Sequence, residues 1–215
     1  RYGTVTGVQT CALPIYVYTT DFSTVLDAEL ETWRYSRILK LIGNDPAAPQ
    51  MDTIQTLTNA QVNIVAPYFD RSIQQIAYLS PSQVGGLSAE AIMATDLITL
   101  YGLNATGVAL LPQATIEGID GSRLSSLAGK LSDTQIGYFN AGQISQLSYE
   151  AIPNLSASAL ALWDTTQVQA LNRSQVEALV NDSTNSNEQI NAVIANMSAK
   201  QISHIMLNPS SRRKL

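Results

Sequence analysis

Apolar residues recur at every eighth position from residue 131 to 179: Leu131, Phe139, Leu147, Leu155, Trp163, Leu171 and Leu179. A second apolar series lies five residues after each of the first six, at Ile136, Ile144, Ile152, Leu160, Val168 and Val176. Each of those six anchors is followed by Ser132, Asn140, Ser148, Ser156, Asp164 or Asn172. Three residues further on, four of the six units carry a glutamine: Gln135, Gln143, Gln167 and Gln175.

This spacing has a mechanical reading. Ser, Asn or Asp is the N-cap, accepting a hydrogen bond from a backbone N–H of the first helical turn. Gln three residues later reaches back to the cap's own N–H, closing a capping box. The anchor and the residue five beyond it form a hydrophobic staple. Each octad is therefore a helix start, repeated before the previous helix can grow past about two turns. A continuous helix is disfavoured, because an eight-residue repeat drifts around a 3.6-residue helix instead of holding one face. A strand is excluded because apolar spacings of five and three do not alternate.

An upstream array keeps the same step at Leu79, Leu87, Leu103, Leu111, Ile119 and Leu127, with Thr95 as the exception. Val84, Ile92, Leu100, Val108, Ile116 and Leu124 supply its second series, while Pro112 and Ala128 stand where caps are expected. Between Leu127 and Leu131 the phase slips by four residues, which reads as a joint between two stacks.

Around the arrays the pattern is less regular. Phe22, Val25, Leu26, Leu30 and Trp33, continued by Ile38, Leu41 and Ile42, predict a helix. Gly43-Asn44-Asp45-Pro46 ends it with a helix-ending glycine and a nearby proline. The Pro-containing stretch to Gln50 reads as a linker, followed by short helices near Ala60–Ala66 and Ser72–Leu79 on either side of Pro67. Asn181–Asn187 reads as a polar loop, after which helices restart at Ser186–Gln189 and Ser198–Gln201.

A helix of six or so residues is far below the roughly 12–15 needed for marginal stability in water. A cap contributes about 1 kcal/mol, and a buried Leu or Ile about 1.5–3 kcal/mol. Such units must stack so that both apolar series share one core. The expected fold class is all-α: a solenoid of short capped helices with an eight-residue repeat, preceded by a small helical segment. Phe139 and Trp163 are its large core anchors.

Residues 5–15, Val-Thr-Gly-Val-Gln-Thr-Cys-Ala-Leu-Pro-Ile, resemble the codon-for-codon translation of a common short-read sequencing adapter. Residues 1–15 are therefore set aside from fold reasoning, and with them Cys11, the single cysteine, so that disulfides and thiolate chemistry are not expected. The expected organisation is 1–15 adapter-derived, 16–50 N-terminal helix and linker, and 51–127 a helical segment with degenerate octads. The regular octads follow over 128–180, then C-terminal helices over 181–207 and a tail over 208–215. The true N-terminus and any signal peptide are expected to lie outside this sequence.

Charge changes the picture little. The formal balance of −5 becomes −6 without Arg1, and 13% of the chain is charged, so Ser, Thr, Asn and Gln must supply most of the polar surface. No apolar run approaches the 18 or so residues of a spanning helix.

Candidate chemistry is sparse. His204, the single histidine, reads as a partly buried helix residue. With no second His and no native Cys, a usual zinc site cannot be assembled. The serines are explained as caps, without nucleophile-elbow spacing. The oxygen-rich run Asn181–Glu188 lacks the glycine and glutamate an EF-hand requires. Gly85-Gly86 has no phosphate-loop context. Asn104, Asn154, Asn172, Asn181 and Asn196 begin glycosylation-type triplets, which such a composition produces cheaply. Arg212-Arg213-Lys214 reads as a solvated tail. No catalytic, cofactor or metal residues are assigned, and an enzyme is not expected.

The unit Leu-(Ser/Thr/Asn)-x-x-Gln-(Ile/Val)-x-x-Leu, best kept in Leu79–Leu87, Leu131–Leu155 and Trp163–Leu179, resembles degenerate octapeptide arrays of large bacterial surface proteins of the adhesin-like kind. The resemblance implies a stalk or interaction segment of an exported protein, binding an unknown protein or surface ligand. An intracellular protein-binding solenoid is the alternative. Leu79-Ser80-Pro81-Ser82-Gln83-Val84 also opens like the DNA-reading repeat of plant pathogens. The 34-residue period of that repeat is absent, and residues 131–179 hold Arg173 against Asp133, Glu150, Asp164 and Glu177. Phosphate binding needs clustered Lys and Arg, so no nucleic-acid partner is expected.

Overall fold

Helix starts fall on the eight-residue clock. In the upstream array the first helical residues are Pro81, Ala89, Leu97, Ala105, Gln113 and Gly121; in the second they are Asp133, Ala141, Ala157, Thr165 and Arg173. The residues before them leave the helical region: Ser80, Ser88, Asp96, Asn104, Asp120, Ser132, Asn140, Ser156 and Asp164 are extended, and each side chain accepts from a first-turn N–H. One unbroken helix is thereby excluded. These observations come from a computed structural model that describes residues 38, 42–43, 51–70, 74–181 and 187–207. The described residues form an all-α, multi-helix fold with repeating helix-to-helix contacts, consistent with a helical solenoid.

The partners in those contacts reveal the stacking period. Helix Pro81–Gly85 packs on Ala105–Val108, Ala89–Ala94 on Gln113–Gly118, and Leu97–Leu100 on Gly121–Leu127. Asp133–Gly137 packs on Ala157–Leu160 and Ala141–Gln146 on Thr165–Gln169 in the same way. Each partner begins 24 residues later. Three octads thus complete one turn, and each of these units rests on the unit three before it. Both apolar series point inward. All thirteen residues of the second array are 9% exposed or less, and the upstream series are buried with them, Thr95 included. Thr95 keeps an anchor position because its hydroxyl donates to the Ala91 carbonyl at 2.7 Å, satisfying its polar group inside the core.

The four-residue slip is not a break in the stack. The core is one continuous cluster through Leu127, Ala128 and Leu131. The octad that should start at Leu127 is cut to a single 3-10 turn, Ala128–Lys130, and Leu131 then resumes as the next anchor. The joint expected from the sequence is therefore a shortened unit within one stack.

Other departures are local. The unit at Leu147 forms a turn and a 3-10 helix, Ile152–Asn154, because Pro153 cannot continue the N–H ladder. Pro112 caps without a side-chain bond. Upstream, helix Met51–Thr56 follows directly on the expected linker, and the helix expected at Ala60–Ala66 spans Asn59–Val65, with Thr58 and Gln61 closing a capping box. Pro67 sits inside a 3-10 turn, Ala66–Tyr68, which continues that helix instead of separating it. Of the helix expected over Ser72–Leu79, residues 72–73 lie outside the described residues and the rest contains a 3-10 turn, Gln75–Tyr78, entered through Gln74 at φ 55°. Ile42 is helical and Gly43 follows at φ 77°, the left-handed conformation expected of a helix-ending glycine. The rest of the expected N-terminal helix, residues 182–186 of the polar loop and the basic tail lie outside the described residues. Helices Asn187–Ile194 and Ala199–Leu207 match the two restarts.

Close stacking leaves little room at some first turns. A Cβ on Gly121 would lie 2.2 Å from the Gln143 carbonyl oxygen, a contact between backbones that cannot yield by rotamer change. Gly121→Ala is expected to cost about 1–3 kcal/mol through overpacking, read as a lower urea midpoint with unchanged m-value. An unchanged midpoint would contradict this stacking of the Ile119 and Phe139 units.

Candidate functional site

In six units the glutamine four positions after the anchor is engaged in two directions. In the Leu171 unit, Gln175 Oε1 accepts from the Asn172 cap N–H at 2.7 Å, closing the local box. Its Nε2 donates downward to the carbonyls of Ile144 and Leu147, at 2.7 and 2.8 Å. Gln83 does the same to Ile54 and Leu57, Gln135 to Val108 and Leu111, and Gln201 to Val168 and Leu171. Gln143 reaches Ile116, Glu117 and Ile119, while Gln167 reaches Gly137 and Phe139. The acceptors are the carbonyls left over at the end of a short helix one turn below. Caps alone leave these unsatisfied.

In several units without glutamine another donor serves such carbonyls, whereas the buried Thr99 hydroxyl, at this position of the Thr95 unit, has no hydrogen-bond partner. Thr115 donates to the Leu87 carbonyl at 3.2 Å. Arg123 donates through Nε to Ile92 at 3.0 Å and through a terminal nitrogen to Met93, while pairing with the Asp120 carboxylate. In the Leu103 unit the position is Gly107, where a Cβ would meet Val84 Cβ at 2.4 Å; the cap Asn104 donates to Leu79 instead. Trp163 Nε1 donates to Ile136 at 3.0 Å. Lys130 Nζ donates to Leu103 at 2.7 Å and to Tyr101. Its partial burial lowers the ammonium pKa below the usual lysine value.

The sequence contained a signal for this ladder. A capping box accepts Glu as readily as Gln, yet the boxed positions here hold Gln. A carboxylate can close the box, but it has no proton to give to a carbonyl below.

The residues that the sequence singled out for possible chemistry fall mainly within packing. His204 is half-buried on helix Ala199–Leu207. Gly85 faces Leu110 and Gly86 faces Asn59, so this pair is a close-packing feature. The side-chain amides of Asn104, Asn154, Asn172 and Asn196 donate to the carbonyls of Leu79, Glu150, Ser145 and Trp163, which ties up four of the five triplet asparagines. Among the described residues, no group of three or more His, Cys, Asp or Glu is placed to hold a metal, and no helix is long and apolar enough to cross a membrane.

Asp133 is the most developed polar cluster on the surface. Its carboxylate accepts from Ser156 and Ser158 of the unit above, both at 2.6 Å, and these bonds hold its pKa below the usual Asp value. A depressed carboxylate pKa gives stability that is present above the unfolded pKa and lost as pH falls through the folded one. Asp133→Asn is therefore expected to lower Tm slightly at neutral pH and to converge with the parent in acid. A constant Tm gap across pH would show that the hydroxyl bonds favour neither protonation state.

The exposed apolar side chains gather most densely on the Thr95 unit, where Leu97, Ile98 and Tyr101 are 38%, 53% and 60% exposed and Met93 precedes them. These are the described residues best placed to meet a partner by apolar contact. No family model, curated protein or solved structure matches this chain.

Proposed function

We propose that this chain is a non-catalytic structural or protein-interaction segment of a larger, exported bacterial surface protein. The supporting observation is the destination of its polar side chains. Ser, Asn, Asp and Gln at the repeat positions are occupied by caps and by carbonyls one turn below, a use that builds an extendable scaffold. The octapeptide resemblance favours the exported reading, with an outward-facing surface contacting an unknown protein or surface ligand. The exposed side chains of the Thr95 unit are the first candidates for that contact.

The direct test is to read the genomic frame continuously across the 5′ side of this sequence. Further octads with an export signal are the expected result. A conventional soluble domain without one would replace the proposal with an intracellular protein-binding solenoid.

A further inference from the structure

The shortened unit Leu127–Leu131 combines several local features. It is a single 3-10 turn, and a Cβ on Gly129 would meet nothing within 4 Å. Neither it nor the next unit on the same face, starting at Leu147, has a glutamine at the ladder position: Leu131 occupies it in the first and Ala151 in the second. Above the shortened unit, the Ser148 N–H donates to Ser125 Oγ at 2.8 Å. Below it, Lys130 reaches the Leu103 and Tyr101 carbonyls. A lysine three residues past the anchor has the length to reach carbonyls that the missing fourth residue would have served.

We propose that Lys130 is the lock of a built-in seam: it stands in for the missing glutamine, and the stack opens first along this shortened face, between the Leu103 unit and the units above it. In a chain whose stability is a sum of nearest-neighbour interfaces, sub-global opening starts at the thinnest one, and the three-residue turn Ala128–Lys130 meets Ala105–Val108 and Ile152–Asn154 less extensively than the full helices meet their stacking partners. The seam would let the two octad arrays change their mutual angle without unfolding either, a useful compliance in an extended scaffold.

Native-state hydrogen exchange on the full chain tests this. In Lys130→Met, amides of residues 103–131 are expected to exchange about tenfold faster, the loss of roughly one hydrogen-bonding group, while those from Phe139 to Leu179 keep their protection. Lys130→Gln, too short to reach both carbonyls, should fall between the parent and Lys130→Met and covers the case in which the Met variant does not fold. A third variant replaces Ala128-Gly129-Lys130 by Ser-Ala-Ala-Gln-Ile-Ala-Ala, restoring a full octad, and should recover slow exchange with no lysine present. Unchanged exchange in Lys130→Met, acceleration spread evenly over both arrays, or a restored octad that exchanges faster than Lys130→Met would each overturn the proposal.

Discussion

Gln143→Glu is expected to destabilise the chain by about 3–5 kcal/mol at neutral pH, although it leaves the local capping box intact. The residue is 5% exposed, and its Nε2 serves three carbonyls, those of Ile116 and Ile119 at 2.8 and 2.7 Å and that of Glu117 at 3.3 Å. A carboxylate there would still accept from the Asn140 N–H, as Oε1 does at 2.9 Å. Its second oxygen would face carbonyl oxygens with no proton to donate. Stranding buried acceptors costs about 1–3 kcal/mol each, and an uncompensated buried charge adds several more unless the group protonates. Protonation supplies the signature. The introduced carboxyl would have a folded pKa raised above its unfolded value, so the penalty is present at high pH and shrinks as pH falls through the folded pKa. Urea midpoints of parent and variant should therefore approach each other toward acid. A box-only role for glutamine predicts near-equal midpoints at every pH.

Trp163→Ala is expected to cost about 3–5 kcal/mol, the usual range for emptying a large aromatic site. Trp163 is among the largest fully buried side chains, lies 6.5 Å from Phe139 centroid to centroid at a 40° tilt, and holds the Ile136 carbonyl through its indole N–H. It thus performs two tasks at one position, as anchor and as donor to the turn below. Trp163→Phe separates them: most of the volume remains while the donor is lost, so a loss near 1–2 kcal/mol is expected. Equal losses in the two variants would assign the whole effect to the hydrogen bond; no loss in Phe would assign it to packing.

The legibility of this fold follows the range of each interaction. Anchors, second-series residues and caps are readable because staple and box act within six residues, and every expected core position from Leu131 to Leu179 is buried. The stacking period is not readable, since an octad repeat is compatible with different numbers of units per turn. It is the carbonyls of Leu147 and Leu171, served by Gln175 and Gln201, that disclose it. The slip at Leu127 is visible in the sequence, but its expected meaning, a joint between stacks, is wrong. A four-residue phase change fits a joint or a shortened unit equally well, and the bonds of Gln135 to Val108 and Leu111 decide for the latter. Arg123 and Lys130 resemble surface charge in the sequence. Their role emerges from carbonyls about 30 residues away, which no local pattern encodes.

Disulfide trapping tests the three-unit turn most directly. An ideal Cβ on Gly137 lies 3.4 Å from Leu162 Cβ, close to the roughly 3.5–4.5 Å of a disulfide. In a Cys11→Ser background, Gly137→Cys with Leu162→Cys should cross-link rapidly on mild oxidation. Gly137→Cys with Ala170→Cys, displaced by one octad, should not. A continuous helix would hold residues 137 and 162 about 37 Å apart. Failure of the first pair, together with ready linkage of the second, would contradict the stacking described here.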